Sequence, residues 1–195
     1  MKLTEHAEIT SCVLSGCDFT AQAGGDILFE QVHIRRVTFT QTSLTNLRLT
    51  DVRVEVSDFS GTTWDKPRLR RVEFFGCRLL GAQWLGAQMD DVRFVNCVLE
   101  DAVLFNANCK SVRFEKCNLC RATLEESDLS GIVFAASNLS NASLRASTLH
   151  ETDLRGSNLS GVQANPRDLR GAIIEPSQAI QVVGLLGITV LEDDR

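Results

Sequence analysis

Seven cysteines are the most reactive side chains in this sequence, and their spacing decides what they can do. Cys117-Asn118-Leu119-Cys120 has the CxxC spacing of metal knuckles and redox pairs. Both uses need the two sulfurs on one face. The five-residue frame set out below points Cys117 inward and Cys120 outward. It puts Cys12, Cys17, Cys77 and Cys97 in the same small inward place as Cys117, and Cys109 in a larger one. There a free cysteine behaves as a small buried hydrophobe, which leaves Cys120 as the accessible thiol. His6, His33 and His150 fall far apart and complete no ligand set, so neither a metal nor a cofactor is expected. Asp90-Asp91 and Glu125-Glu126 project into solvent rather than into a pocket suited to acid–base chemistry. Arg68-Leu69-Arg70-Arg71 alone resembles a nucleic-acid patch. The acids that follow it and the net charge of −5 argue against direct nucleic-acid binding. No glycine-rich phosphate loop, catalytic carboxylate pair or Ser/His/Asp set is recognisable, so no catalytic residue is named and no enzyme is expected.

The elements that position these residues are legible between Ala122 and Ser160. Cut into fives, the stretch reads ATLEE, SDLSG, IVFAA, SNLSN, ASLRA, STLHE, TDLRG, SNLS. A fixed short period of this kind is neither the helical 3.6 nor the strand's two. It describes a chain that turns a corner every fifth residue, with one large apolar residue per side pointing inward. The large residue sits where the number ends in 4 or 9, from Ile9 and Leu14 through Phe39, Phe59, Trp64, Phe74, Trp84, Phe94 and Phe114 to Leu159. Gly24 breaks the series, so an irregular corner or bulge is expected at 22–25. Arg167 takes an inward small-residue place, and the solenoid is expected to end near Val162.

A second period of twenty lies over the five. Val32, Val52, Val72, Val92 and Val112 form one inward column, Ala82, Ala102, Ala122 and Ala142 another, and Cys77, Cys97 and Cys117 a third. On these residues the chain resembles the pentapeptide repeat proteins, whose repeat is written A(D/N)Lxx. The resemblance covers roughly residues 7–164. It implies an all-β fold, a right-handed quadrilateral β-helix with four pentapeptides per coil. The domain reading is a repeat domain over 1–164 and a C-terminal cap and dimerisation module over 165–195.

At a spacing of twenty the charges also align. Arg53, Glu73 and Arg93 stack outward, as do Arg70, Asp90 and Lys110, and Arg71 lies under Asp91. Arg35 lies under Glu55, Asp101 under Arg121 and Glu125 under Arg145. With coils about 4.8 Å apart, these are cross-strand ion pairs that fix register, each contributing a fraction of a kcal/mol.

The tail leaves the frame. Glu175-Pro176-Ser177-Gln178 opens a helix with Pro in its first turn, Ala179, Val182, Val183 and Leu186 form its apolar stripe, and Gly187 ends it. Residues 188–191 read as a short strand. One side of the helix caps the last coil. The other is expected to bury Ile180, Val183, Leu185, Leu186 and Ile188 in a head-to-head homodimer. Here the chain is similar to a narrower group, the quinolone-resistance (Qnr-type) proteins and their mycobacterial counterpart.

That resemblance implies a DNA mimic that binds DNA gyrase or topoisomerase IV and inhibits it or shields it from poisons. About eight coils at roughly 4.8 Å give a rod near 38 Å. The same length of duplex carries on the order of 22 phosphates, against five net negatives here. The expected acidic contact side is Asp18, Asp58, Glu100 and Asp101, read as the least paired of the outward acids apart from Asp101, which lies beneath Arg121. The rival reading is a scaffold for a different protein, through an outward apolar patch of Phe75, Leu80, Leu85, Val95 and Phe105. No apolar run reaches the roughly 20 residues that span a bilayer, and no apolar stretch follows Met1-Lys2-Leu3-Thr4-Glu5-His6, so a cytoplasmic location is expected.

Overall fold

The computed structural model describes residues 2–191. One repeated corner turns the five-residue frame into geometry. Residues whose numbers end in 1 or 6 adopt the left-handed conformation at corner after corner, among them Asp51 (φ 55°), Asn96 (φ 53°) and Asp101 (φ 56°). Asp and Asn tolerate this region better than most residues. Val56 (φ 49°) is β-branched and least suited to it. The cost is offset because each corner N–H reaches the next coil: Arg36 donates to Glu55 O (3.0 Å), Val56 to Phe75 O (2.9 Å) and Asp101 to Cys120 O (3.1 Å).

Every paired residue meets the one twenty further on. Ile9 pairs with Phe29, Phe29 with Leu49, Leu49 with Leu69, Leu69 with Met89 and Met89 with Cys109, all in parallel. The eight-residue strands Arg48–Glu55, Arg68–Phe75, Gln88–Val95 and Asn108–Glu115 each bend across two sides and belong to a nine-stranded sheet. Ala23–Gly25, Ser43–Thr45, Thr63–Asp65 and Gln83–Leu85 form a four-stranded sheet. On the side with no strands, single bridges keep the register, Asp18 to Thr38 to Asp58 to Arg78 to Val98. Five residues per side and twenty per coil close a quadrilateral β-helix, the architecture expected.

Inside, identical residues stack at the coil spacing. Phe74, Phe94, Phe114 and Phe134 are parallel at 4.8, 4.8 and 5.0 Å, and Trp64 lies 4.5 Å from Trp84. Each indole N–H finds a hydroxyl one coil back, Trp64 on Thr42 and Trp84 on Thr62, both at 3.2 Å. The column Ser57, Cys77, Cys97, Cys117, Ser137, Ser157 explains the cysteines. Ser137 Oγ donates to Phe114 O (3.2 Å), and Cys97 Sγ makes the matching contact with Phe74 O (3.5 Å). Cys77 and Cys117 are pushed well up in pKa, first by the Cys97 sulfur between them and then by burial. Burial, with the Asp128 charge, pushes Cys109 up to about 12. Such thiols stay protonated and unreactive. No group of three or more potential metal ligands occurs among the described residues.

Both ends depart from expectation. The irregular corner foreseen at 22–25 is absent, since Ala23–Gly25 is a strand in register with Ser43–Thr45. A Cβ on Gly24 would meet Ile27 Cδ1 at 3.2 Å and Leu3 O at 3.3 Å. The missing side chain therefore makes room for the leading segment: Leu3 is buried, and its N–H donates to Gln22 Oε1 at 2.7 Å. At the far end, pairing continues past Val162. Glu151 N–H reaches Gly171 O (2.9 Å) and Leu154 N–H reaches Ile173 O (2.8 Å), so a boundary at 164 cuts through a ladder. Arg167 stands exposed and the inward place passes to Asp168. Its carboxylate accepts the Asn165 N–H and side-chain amide, both at 2.8 Å, and the Ala146 N–H at 3.1 Å. Burial works against that charge, but these hydrogen bonds and Arg167 outweigh it and hold Asp168 below its ordinary pKa.

The terminal helix starts and stops as expected, with turns Pro176–Gln178, Ala179–Val183 and Gly184–Leu186 and Gly187 left-handed at φ 72°. Its packed face is shifted by one residue. Gln178, Gln181, Val182 and Leu185 meet the last coil, whereas Ala179 and Leu186 are exposed. Gln178 donates to Leu154 O (2.7 Å) and Ser157 O (2.6 Å), and Gln181 Oε1 accepts the Leu159 N–H (2.6 Å). The last coil has backbone groups with no further coil to pair them, and these two glutamines satisfy three of them. The strand expected at 188–191 is not formed: the segment has no ladder partner and is exposed.

Candidate functional site

With the core filled, the functional chemistry of the rod lies on its sides and its open end. The side carrying residues 53–55, 73–75, 93–95 and 113–115 is a web of ion pairs. Arg53 reaches Glu55 (2.8 Å) and Glu73 (3.3 Å), Arg93 reaches Glu115 (2.8 Å), and Arg35 reaches Glu55 (3.4 Å). His33 Nε2, shielded from solvent, lies 3.3 Å from Glu55. The Arg53 hydrogen bond holds Glu55 below its usual pKa, and the Arg93 bond does the same to Glu115. Three foreseen ladders are corrected. Arg71 forks onto Asp51 one coil back (2.5 and 2.6 Å) rather than onto Asp91. Glu125 takes the Ser143 hydroxyl instead of Arg145. Arg70, Asp90 and Lys110 are in register, yet no ion pair joins them among the described residues.

The four expected contact acids do share one side, and they are not free. Asp18 accepts the Thr20 N–H (2.8 Å) and hydroxyl (2.6 Å), bonds that hold its pKa down. Asp58 likewise accepts the Ser60 N–H (2.9 Å) and hydroxyl (2.6 Å) and has Arg78 at 3.8 Å. Asp101 takes Arg121 as expected (2.8 Å), and Glu100, expected to be among the least paired, clasps the same guanidinium at 2.5 Å. One guanidinium shared by two carboxylates cancels half of their charge and leaves a net single negative there.

The five outward apolar residues do not form one contiguous patch. Phe75 and Val95 are register partners on the ion-pair side, and the Arg53 guanidinium covers the Phe75 ring at 4.3 Å. Leu85 and Phe105 stand half a coil away on the opposite side, with Leu80, 37% exposed, on the side between. Corner residues folding back on their neighbours explain why four of the five are half-buried. At the end of the rod, Ile180 (68% exposed), Leu186 and Ile188 are open to solvent, while Val183 and Leu185 are half-buried.

Sequence reasoning missed Gln178, Gln181 and Asp168, the polar groups that close the last coil. The available signal was two glutamines three apart in an otherwise apolar helix. It did mark Arg68 and Arg70 as a basic cluster but gave them acidic partners that they do not engage among the described residues, and it did not join Arg48 to them.

Two family profiles match the sequence: one described as a pentapeptide repeat region over residues 67–139, the other as pentapeptide repeats (8 copies) over 122–163. The chain belongs to the pentapeptide repeat family. Among solved structures, this pentapeptide repeat protein is similar to trypsin-treated QnrB1, a plasmid-mediated fluoroquinolone resistance protein. The TM-score is 0.50 at 20% identity, covering 94% of this chain and 99% of that one. HetL, a pentapeptide repeat protein involved in heterocyst differentiation regulation in the cyanobacterium Nostoc sp. strain PCC 7120, aligns with a TM-score of 0.43. Its identity is 18%, over 87% of this chain and 90% of that one. No curated protein matches by sequence. At these identities the likeness speaks to the fold. No described helix is long and apolar enough to cross a membrane.

Proposed function

We propose that this pentapeptide repeat protein is a non-enzymatic, cytoplasmic binding rod that occupies the DNA-binding surface of DNA gyrase or a related type II topoisomerase. In that role it inhibits the enzyme or shields it from poisons. The observation that carries this reading is the uninterrupted register, i to i+20 from the first coil to the last, with no inserted loop. It makes a rod of about 38 Å at ~4.8 Å per coil. The shared fold with QnrB1, a plasmid-mediated fluoroquinolone resistance protein, is in keeping with this reading. A homodimer through the terminal helix would bury Ile180, Leu186 and Ile188 and double the length.

A second reading, a scaffold for a different protein, is favoured by one feature: Arg121 offsets one of the two charges of Glu100 and Asp101, and Arg78 faces Asp58, so acids alternate with arginines along that side. A supercoiling assay with purified gyrase, with and without a quinolone, separates the two. On the mimic reading, Asp18→Asn, Asp58→Asn and Glu100→Gln together weaken the effect several-fold, and added salt weakens it further because exposed charges are screened. Phe75→Ser with Phe105→Ser should matter less. If the wild-type protein leaves supercoiling unchanged, the topoisomerase reading fails.

A further inference from the structure

The side carrying Arg48, Arg68 and Arg70 differs electrostatically from its neighbour. Arg48 and Arg68 are register partners, one coil apart. Like charges placed directly across a ladder are destabilising, and on the adjoining side the same spacing holds opposite charges in bridges. Neither Arg48, Arg68, Arg70 nor Lys110 makes an ion pair among the described residues. Together they line a shallow trough of about 520 Å³, with Thr50, Gln88, Asp90 and Asn108 between them and Leu69 and Met89 in its floor. Asp90 is the one acid in that lining, so the trough carries four positive charges against one negative.

We propose that this trough is a docking site for an extended, acidic segment of a partner protein. Retained repulsion between Arg48 and Arg68 is relieved when a carboxylate settles between the two guanidinium groups. The trough is open and shallow, so a small anion would stay hydrated and gain little, whereas a chain lying along it meets several cations in turn. The occupant is a protein segment rather than a nucleic acid for two reasons. Arg70, Asp90 and Lys110 follow one another in register as plus, minus, plus. A uniformly charged phosphate backbone would set one phosphate against Asp90, while a peptide can place a neutral residue there. No aromatic side chain lines the trough, so bases would find nothing to stack on. The site is independent of the topoisomerase reading, which concerns acids on another side of the rod.

The test is fluorescence anisotropy on the full chain with a short labelled peptide alternating glutamate and serine. A lysine–serine peptide and a single-stranded DNA of similar length are the comparison probes. The glutamate peptide should bind, with affinity falling as salt rises. Arg48→Gln with Arg68→Gln should weaken it about tenfold or more, and Arg68→Gln alone should weaken it clearly where Arg145→Gln, the same charge change on a different side, should not. Because the double substitution removes a repulsion, its melting temperature should equal or exceed that of the parent; Arg68→Gln alone serves if the pair misfolds. Failure of the glutamate peptide to bind overturns the proposal. So does equal weakening by Arg145→Gln, or tighter binding of the DNA that depends on the same two arginines.

Discussion

Phe94→Ala tests the packing on which every other statement depends. The ring is fully buried and lies parallel to Phe74 and to Phe114, each 4.8 Å away, with interplanar angles of 4° and 5°. Trp84 closes one flank at 6.3 Å. Truncating a buried Phe costs about 3–5 kcal/mol, and the cost depends on how far the site can collapse. Here collapse is obstructed. The rings above and below belong to residues whose backbones are held in the ladder at Phe74↔Phe94 and Phe94↔Phe114, so neither can slide into the void. Two lost stacking contacts, each about 0.5–1.5 kcal/mol, also push the loss toward the upper end, near 5 kcal/mol. Phe94→Leu, which keeps an apolar side chain in the stack, should cost much less, about 1.5 kcal/mol. The assay is equilibrium urea unfolding followed by the fluorescence of Trp64 and Trp84, at fixed protein concentration. A loss below about 1 kcal/mol for the alanine variant would mean that position 94 does not face a rigid stacked core, and the inward register would have to be abandoned.

Further predictions concern the end of the rod. Gln178→Ala strips the Leu154 and Ser157 carbonyls of their donor, costing about 1–3 kcal/mol for each buried group left unpaired. Amide exchange should accelerate over residues 151–163 while Gln88–Val95 is unchanged. Asp168 has a depressed folded pKa, so its charged form contributes stability above the unfolded value of about 3.9. That contribution is lost as pH falls through the lower folded value; melts of the parent and Asp168→Asn should converge on acidification below about pH 4. Light scattering at micromolar concentration should give a dimer mass, and Ile180→Asp with Leu186→Asp should return a monomer. A monomer mass for the parent would refute the end-to-end assembly.

The repeat was readable because it is a short-range rule. Each five-residue side carries its own inward residues and left-handed corner, so Phe74, Phe94 and Phe114 announce a stack through their spacing alone. Cys77, Cys97 and Cys117 were placed inward by the same count, without any knowledge of their neighbours. What the count left open was everything that depends on which of several partners a flexible side chain chooses. Arg71 has acids on both neighbouring coils and takes Asp51, and Arg121 reaches Glu100 as well as Asp101. Period alone ranks such alternatives equally, because cross-coil neighbours sit at the same spacing above and below. The ends were least legible, since there the repeat no longer supplies partners. Leu3 over Gly24, Asp168 turned inward and Gln178 on the last carbonyls each answer a vacancy that exists only once the coils are stacked. The sequence by itself determined the coil, its core and its register; tertiary structure decided which charges are neutralised and how the two open ends are closed, because those choices are settled by three-dimensional distance and backbone hydrogen-bond demand rather than by position in the repeat.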